Sequence, residues 1–274
     1  MNSPASSSPP ISLLGIPFDE NSSYLRGTAQ APSRIVEALY CDASNLWTEN
    51  GTDLQGKVLD AGRVALPSGT PEAFAAIERA VAGHLRQKAP LIVLGGDHSI
   101  TYPVIKAFAA KFPDLEIMHF DAHPDLYDEL GGNRLSHACP FARIMEEKLA
   151  RRLVQAGIRT MNRHQREQAQ RFGVEVLEMK DLGRWPRLKF QGPVYISFDL
   201  DVLDPAFAPG ISHWEPGGLS VREVLNTLQS LQGRIVGADL VEYNPARDGS
   251  GRTAVVCAKI LKEIAALMLA GERP

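Results

Sequence analysis

The stretch "LEIMHFDAH", residues 115–123, decides the fold. Its apolar residues do not alternate with polar ones, so a strand built from it has no wet face. A strand buried on both sides belongs to a mostly parallel sheet with helices on each face, because parallel neighbours need long crossovers. Seven further short runs read as strands: "ISLLGIPF" (11–18), "KVLDAG" (57–62), "PLIVLGG" (90–96), "RLVQAGIR" (152–159), "VEVLEM" (174–179), "VYISFDLD" (194–201) and "RIVGADLVEYN" (234–244). Between them Phe74, Ile77, Val81 and Leu85 recur at the helical period, as do Val221, Val224, Leu225 and Leu228, and Ile260, Ile264 and Leu267. The expected architecture is α/β: a three-layer α/β/α domain with about eight mostly parallel strands. No Pro/Gly/Ser linker breaks the series after residue 11, which gives one domain over 11–274 behind a disordered tail, 1–10.

Composition narrows the function. The 274 residues carry a formal net charge of −3 and no Lys/Arg cluster, so a nucleic-acid partner is not expected. Cys41, Cys139 and Cys257 are odd in number and widely spaced, which suggests neither a disulfide framework nor a thiolate zinc site. The opening "MNSPASSSPP" has no apolar core of a signal peptide, and no run approaches the ~18 apolar residues of a membrane span. These readings lead to the expectation of a cytoplasmic protein without a membrane partner.

The chemistry gathers where the apolar runs end. Ligands of open α/β sheets bind at the carboxyl ends of strands. Asp121, His123 and Asp125 follow "IMHF" at alternate positions, so they face one point if strand geometry persists through Pro124. Asp199 and Asp201 repeat the spacing in "SFDLD", and His98 closes a third strand in "GGDHS". Four carboxylates brought together repel one another unless cations neutralise them, and two divalent metals would do so. Oxygen and nitrogen donors without a thiol suit Mn2+ better than structural zinc, with nickel, cobalt and iron left open. Asp204 reads as a helix N-cap, and His119 and His84 as packed or surface residues with no special role.

In order, "GGDHS" (95–99), "DAHPD" (121–125), "SFDLDVLDP" (197–205) and "VEYNP" (241–245) resemble the four signature segments of the arginase and agmatinase family of ureohydrolases. The resemblance implies an eight-stranded α/β/α fold and two Mn2+ ions. His98, Asp121, Asp125 and Asp199 would hold one ion and Asp121, His123, Asp199 and Asp201 the other, roughly 3.5 Å apart. It implies hydrolysis of a guanidinium to urea and an amine by a hydroxide bridging the metals, with Asp125 protonating the leaving nitrogen. Glu242 would pair with the guanidinium, and His137 would move protons between the site and bulk water. Cys139 would be inert. Homo-oligomers, trimers or hexamers, are also implied, with the C-terminal "IAALMLAG" either core or partly covered by a neighbour.

The finer resemblance is to plant-type arginases, carried by "LSHACPFARIME" (135–146), "GIRTMNRHQREQAQRFGVE" (157–175) and "FAPGISHWEPGGLSVREVL" (207–225). It implies L-arginine as substrate, yielding L-ornithine and urea. Agmatine is the alternative, ahead of guanidinobutyrate and guanidine. Animal-type arginases carry an Asp where this chain has Asn162, so Asn133, Asn162 and His213 are the candidates for reading the amino-acid end. Two hypotheses from other classes stay open. A one-metal zinc deacetylase type leaves His98 and Asp125 without a reason, and a catalytically inactive regulatory subunit leaves His137 and Glu242 without one.

Overall fold

The computed structural model describes residues 9–87 and 89–271. Residues 1–8 of the expected tail, and the last three of the expected domain, lie outside them. Eight strands form one sheet: β1 (Ile11–Gly15), β2 (Val58–Arg63), β3 (Leu91–Leu94), β4 (Glu116–Phe120), β5 (Arg152–Ile158), β6 (Glu175–Glu178), β7 (Lys189–Asp199) and β8 (Gln232–Val241). Their order is β2-β1-β3-β8-β7-β4-β5-β6, and every pairing is parallel. Each of the eight apolar runs yields one of these strands.

Helices cover both faces. On one side α1 (Ala31–Leu39), α6 (Val221–Ser230) and α7 (Arg252–Ala270) share a core with Met118 and Phe120 of β4. On the other, α2 (Thr70–Arg86), α3 (Thr101–Lys111), α4 (Pro140–Glu146) and α5 (Arg163–Phe172) pack with Ile117. Successive β4 residues thus enter opposite apolar layers, which is why that run shows no alternation. Along α7, Ile264, Ala265, Ala266 and Met268 are buried within the chain itself, so core packing accounts for the apolar C-terminal run. No described helix is long and apolar enough to cross a membrane.

The register sets the site. Leu94, Leu240, Phe198 and Phe120 form one row across the adjacent strands β3, β8, β7 and β4. The polar residues begin just past that row: Asp121 and Asp199 one residue on, Glu242 two, His98 four. Two glycines allow the close approach. A Cβ on Gly96 would lie 1.7 Å from the Phe18 carbonyl, and one on Gly157, at φ +102°, would lie 2.8 Å from the Asp121 carbonyl.

Candidate metal centre

Strand geometry does not persist through Pro124. β4 stops at Phe120, and Asp121–Asp125 is a loop in which Asp125 takes φ +49°. The alternation expected there is replaced by a fold-back that brings the side chains together by a different route. Glu242 also has positive φ, +63°. Left-handed backbone costs a non-glycine residue about 1 kcal/mol or more, and it clusters where function requires it.

The six predicted ligands converge. His98 Nδ1 lies 3.3 Å from Asp121 Oδ2, 3.1 Å from Asp125 Oδ2 and 3.1 Å from Asp199 Oδ2. His123 Nδ1 lies 2.9 Å from Asp201 Oδ2 and 3.4 Å from Asp121 Oδ1. Of the three groups of side chains that could hold an ion, two consist of these residues, His98/Asp121/Asp125/Asp199 and Asp121/His123/Asp201, the third is His98/His119/Asp121, and Asp121 is common to all. Asp199 Oδ1 accepts the main-chain N–H of Asp201 at 2.8 Å, and Asp201 Oδ1 accepts that of Ala122 at 3.0 Å.

The protonation logic at His98 calls for a cation. Ser197 Oγ donates to Asp239 Oδ1 at 2.8 Å, so it can only accept from His98 Nε2, 3.0 Å away. Tyr195 and Thr101 hold the second Asp239 oxygen, at 3.0 and 2.9 Å. Nδ1 then aims a lone pair at three carboxylate oxygens and, among the described residues, has no hydrogen-bond partner of acceptable geometry. Burial favours the neutral ring, yet the three carboxylates raise its proton affinity well above the ordinary value. A positive charge belongs at that point, supplied by a proton or by a metal. Burial together with Asp201 and Asp121 likewise pushes Asp199 well above the usual carboxylate range. Burial works against charge on Asp121 too, but the surrounding imidazoles hold it well below that range.

A pocket of about 190 Å3 opens over the cluster, room for a small molecule and not for a polymer. Asp125, His137, His213, Glu242 and Asn162 line it, with no Lys or Arg among the described lining residues. Glu242 Oε1 accepts both the His98 main-chain N–H, at 2.9 Å, and His137 Nδ1, at 2.8 Å. Burial opposes charge on His137, but Glu242 overrides it and pushes the ring up to about 9. On the other side the Ser23 main-chain N–H points at His137 Nε2 from 3.2 Å, a donor that suits the neutral ring. Neither protonation state is locked.

The remaining candidates sit as follows. Asn162 caps α5, accepting the Gln165 N–H at 2.9 Å, and donates from Nδ2 to Tyr127 Oη at 2.7 Å. Asn133 is absent from the described pocket lining; its amide donates to Asn21 and its carbonyl accepts the Leu135 N–H. His213 tilts over His137, ring centroids 5.3 Å apart. Cys139 is buried, and burial pushes its thiol up to about 12. Asp204 caps no helix: it gathers the N–H groups of Ala206, Gly217 and Gly218 in a turn.

Four contributors escaped the sequence reading. His119, expected to have no special role, is fully buried with Nε2 2.8 Å from Asp121 Oδ2; its i−2 spacing from Asp121 on a strand was the available signal. Ser197 and Asp239 lie inside apolar runs, where only the register pairs them. Arg159 reaches the carbonyls of Asp201, Val202, Leu203 and Glu215 and so fixes the turn that carries Asp201, a tertiary contact with no local signature.

Comparison with known proteins agrees with this geometry. A sequence profile of the Arginase family matches residues 9–267. Arginase 1, mitochondrial, of Arabidopsis thaliana is 50% identical over 274 residues, covering 93% of this chain and 80% of that one. An agmatinase from Bacillus anthracis is 33% identical over 262 residues, covering 93% and 90%. The solved arginase of Medicago truncatula superposes with a TM-score of 0.92 at 46% identity, covering 96% of this chain and 89% of that one. The cytoplasmic expectation is overturned, because arginases of Arabidopsis thaliana and Medicago truncatula that align with the chain are named mitochondrial or chloroplastic. Lack of a secretory apolar core speaks only to export and carries no information on organelles.

Proposed function

The chain belongs to the arginase family, and from that membership we propose that it hydrolyses L-arginine to L-ornithine and urea in a manganese-dependent reaction. The observation that carries the reading is His98 Nδ1, a buried lone pair facing three carboxylate oxygens. His98, Asp121, Asp125 and Asp199 would hold one divalent ion, and Asp121, His123, Asp199 and Asp201 a second. Hard carboxylates with two imidazoles and no thiol suit Mn2+. When bound, the ions supply Lewis acidity that lets water ionise near neutral pH.

The chain's own groups supply the rest. Glu242 already has Oε1 engaged by His98 and His137, which leaves Oε2 to receive an N–H of the guanidinium. Asp125, on the pocket wall beside His98, takes the proton of the attacking water and returns it to the leaving nitrogen. His137, between Glu242 and Ser23, carries protons to and from solvent. We place these roles on one catalytic domain beginning at residue 11, assembled as a homotrimer or homohexamer.

With no Lys or Arg in the described lining, a substrate carboxylate meets no permanently charged guanidinium or ammonium there. Discrimination against agmatine, which lacks that carboxylate, should then be modest, about 1–3 kcal/mol or roughly 5- to 150-fold in kcat/KM. Plant arginases at higher identity than the agmatinase favour arginine. Urea release from L-arginine and agmatine, measured side by side on manganese-loaded protein, tests this. A preference for agmatine would make the protein an agmatinase, and urea from neither would refute the proposal.

A further inference from the structure

His119 and Gln155 stand side by side in register on β4 and β5, both fully buried. Gln155 Nε2 lies 2.6 Å from the Pro124 carbonyl oxygen and 3.0 Å from His119 Nδ1. The amide can be oriented only one way, since its oxygen turned toward Pro124 would set two acceptors against each other. Its nitrogen therefore donates to both partners, and Nδ1 of His119 is an acceptor. The ring proton is on Nε2, which donates to Asp121 Oδ2 at 2.8 Å. Phe141 stacks on the ring, centroids 3.9 Å apart at 29°, and His98 meets it edge-on at 5.0 Å, so the donor cannot swing away.

Packing alone does not call for these groups. An apolar aromatic at 119 would fill the same layer without burying an imidazole and an amide, and Gln155 Oε1 is left without a partner among the described residues. What the arrangement delivers is one N–H aimed at one oxygen of the carboxylate shared by both ligand groups. That same oxygen faces His98 Nδ1 at 3.3 Å.

On the metal-dependent reading above, we infer that His119, oriented by Gln155, is a positioning residue for Asp121. Its N–H occupies one lone pair of Oδ2, fixes the rotation of the carboxylate, and leaves the other lone pairs free for the ions that the cluster would hold. With its proton on Nε2, His119 supports the cluster from outside. The Pro124 contact ties the same relay to the main chain between His123 and Asp125, so one network holds both ends of the loop.

His119→Phe tests this, because it keeps the stack on Phe141 and removes the N–H to Asp121 together with the Nδ1 that accepts from Gln155. Manganese binding to chelator-stripped protein is titrated calorimetrically, the bound ions are followed by electron paramagnetic resonance, and melting of the metal-free protein is recorded in parallel. Manganese affinity should fall about 10- to 100-fold, the range for removal of a partner behind a metal ligand. The signal of a coupled ion pair should also need more manganese to develop. Unchanged affinity with a shifted metal-free Tm would show a purely structural role and overturn the inference. Should His119→Phe not fold, Gln155→Met decides: weaker manganese binding supports the relay and wild-type affinity overturns it. A wild-type protein that binds no manganese would overturn the metal-dependent reading as well.

Discussion

Glu242 Oε1 lies 2.8 Å from His137 Nδ1 and 2.9 Å from the main-chain nitrogen of His98, so a single carboxylate oxygen links the pocket imidazole to the strand end that enters the cluster. The side chain arrives there through a left-handed Glu242 backbone, φ +63°. That strain is held in place by the Glu242 N–H donating to Gly96 O at 2.9 Å.

Glu242→Gln should lower the His137 pKa from about 9, because burial favours the neutral ring and only the weaker influences of Asp97 and Asp125 are left to oppose it. The sign carries to stability. A raised pKa contributes fully below the ordinary 6.5 and is lost as pH rises through about 9. Nitrogen-detected NMR titration of the imidazole checks the shift, and the wild type alone should lose Tm across that window. An unmoved pKa would show that Glu242 is not its cause.

Asp121→Asn replaces a shared carboxylate with a neutral amide, which bridges two cations poorly. Ions per chain should fall from two toward one, with urea release falling in step. Elemental analysis after dialysis against manganese gives the count. Two ions at full retention would remove Asp121 from the bridging role.

Arg159→Lys leaves a single ammonium where a planar guanidinium reaches the carbonyls of Asp201, Val202, Leu203 and Glu215. The carbonyls left without a partner should cost about 1–3 kcal/mol. At this chain length that is roughly 2–10 °C in Tm, measurable by calorimetry. A Tm within a degree of wild type would mean that water replaces the lost contacts.

Asn162→Ala should act through the α5 cap, costing about 1 kcal/mol. Asn162→Asp keeps the acceptor for the Gln165 N–H and should restore that stability. Denaturant unfolding of the pair separates capping from any contribution to substrate binding, which KM reports. Equal stability of the two variants would dismiss the cap.

The fold was legible because burial on both faces writes itself into composition: β4 sends Met118 and Phe120 into one layer and Ile117 into the other. Strand ends were less legible. The runs extend into the turns that carry His98, Asp121 and Asp201, because those turns are buried too and retain apolar residues such as Ile100, Ala122 and Leu200. The six candidate ligands were legible as residue types at strand ends, although the loop at Asp125, and not strand alternation, brings its carboxylate in. His119, Ser197 and Asp239 were not, since a polar residue inside an apolar run gains meaning only from the strand beside it.

The six-residue cluster is proposed to hold two manganese ions for hydrolysis of a guanidino group. Urea release from L-arginine, followed while manganese is titrated into chelator-stripped protein, tests it most directly. The stripped protein should release no urea, and the rate should rise to its maximum at two manganese ions per chain. Urea release independent of metal, or none from L-arginine at any manganese content, would contradict it.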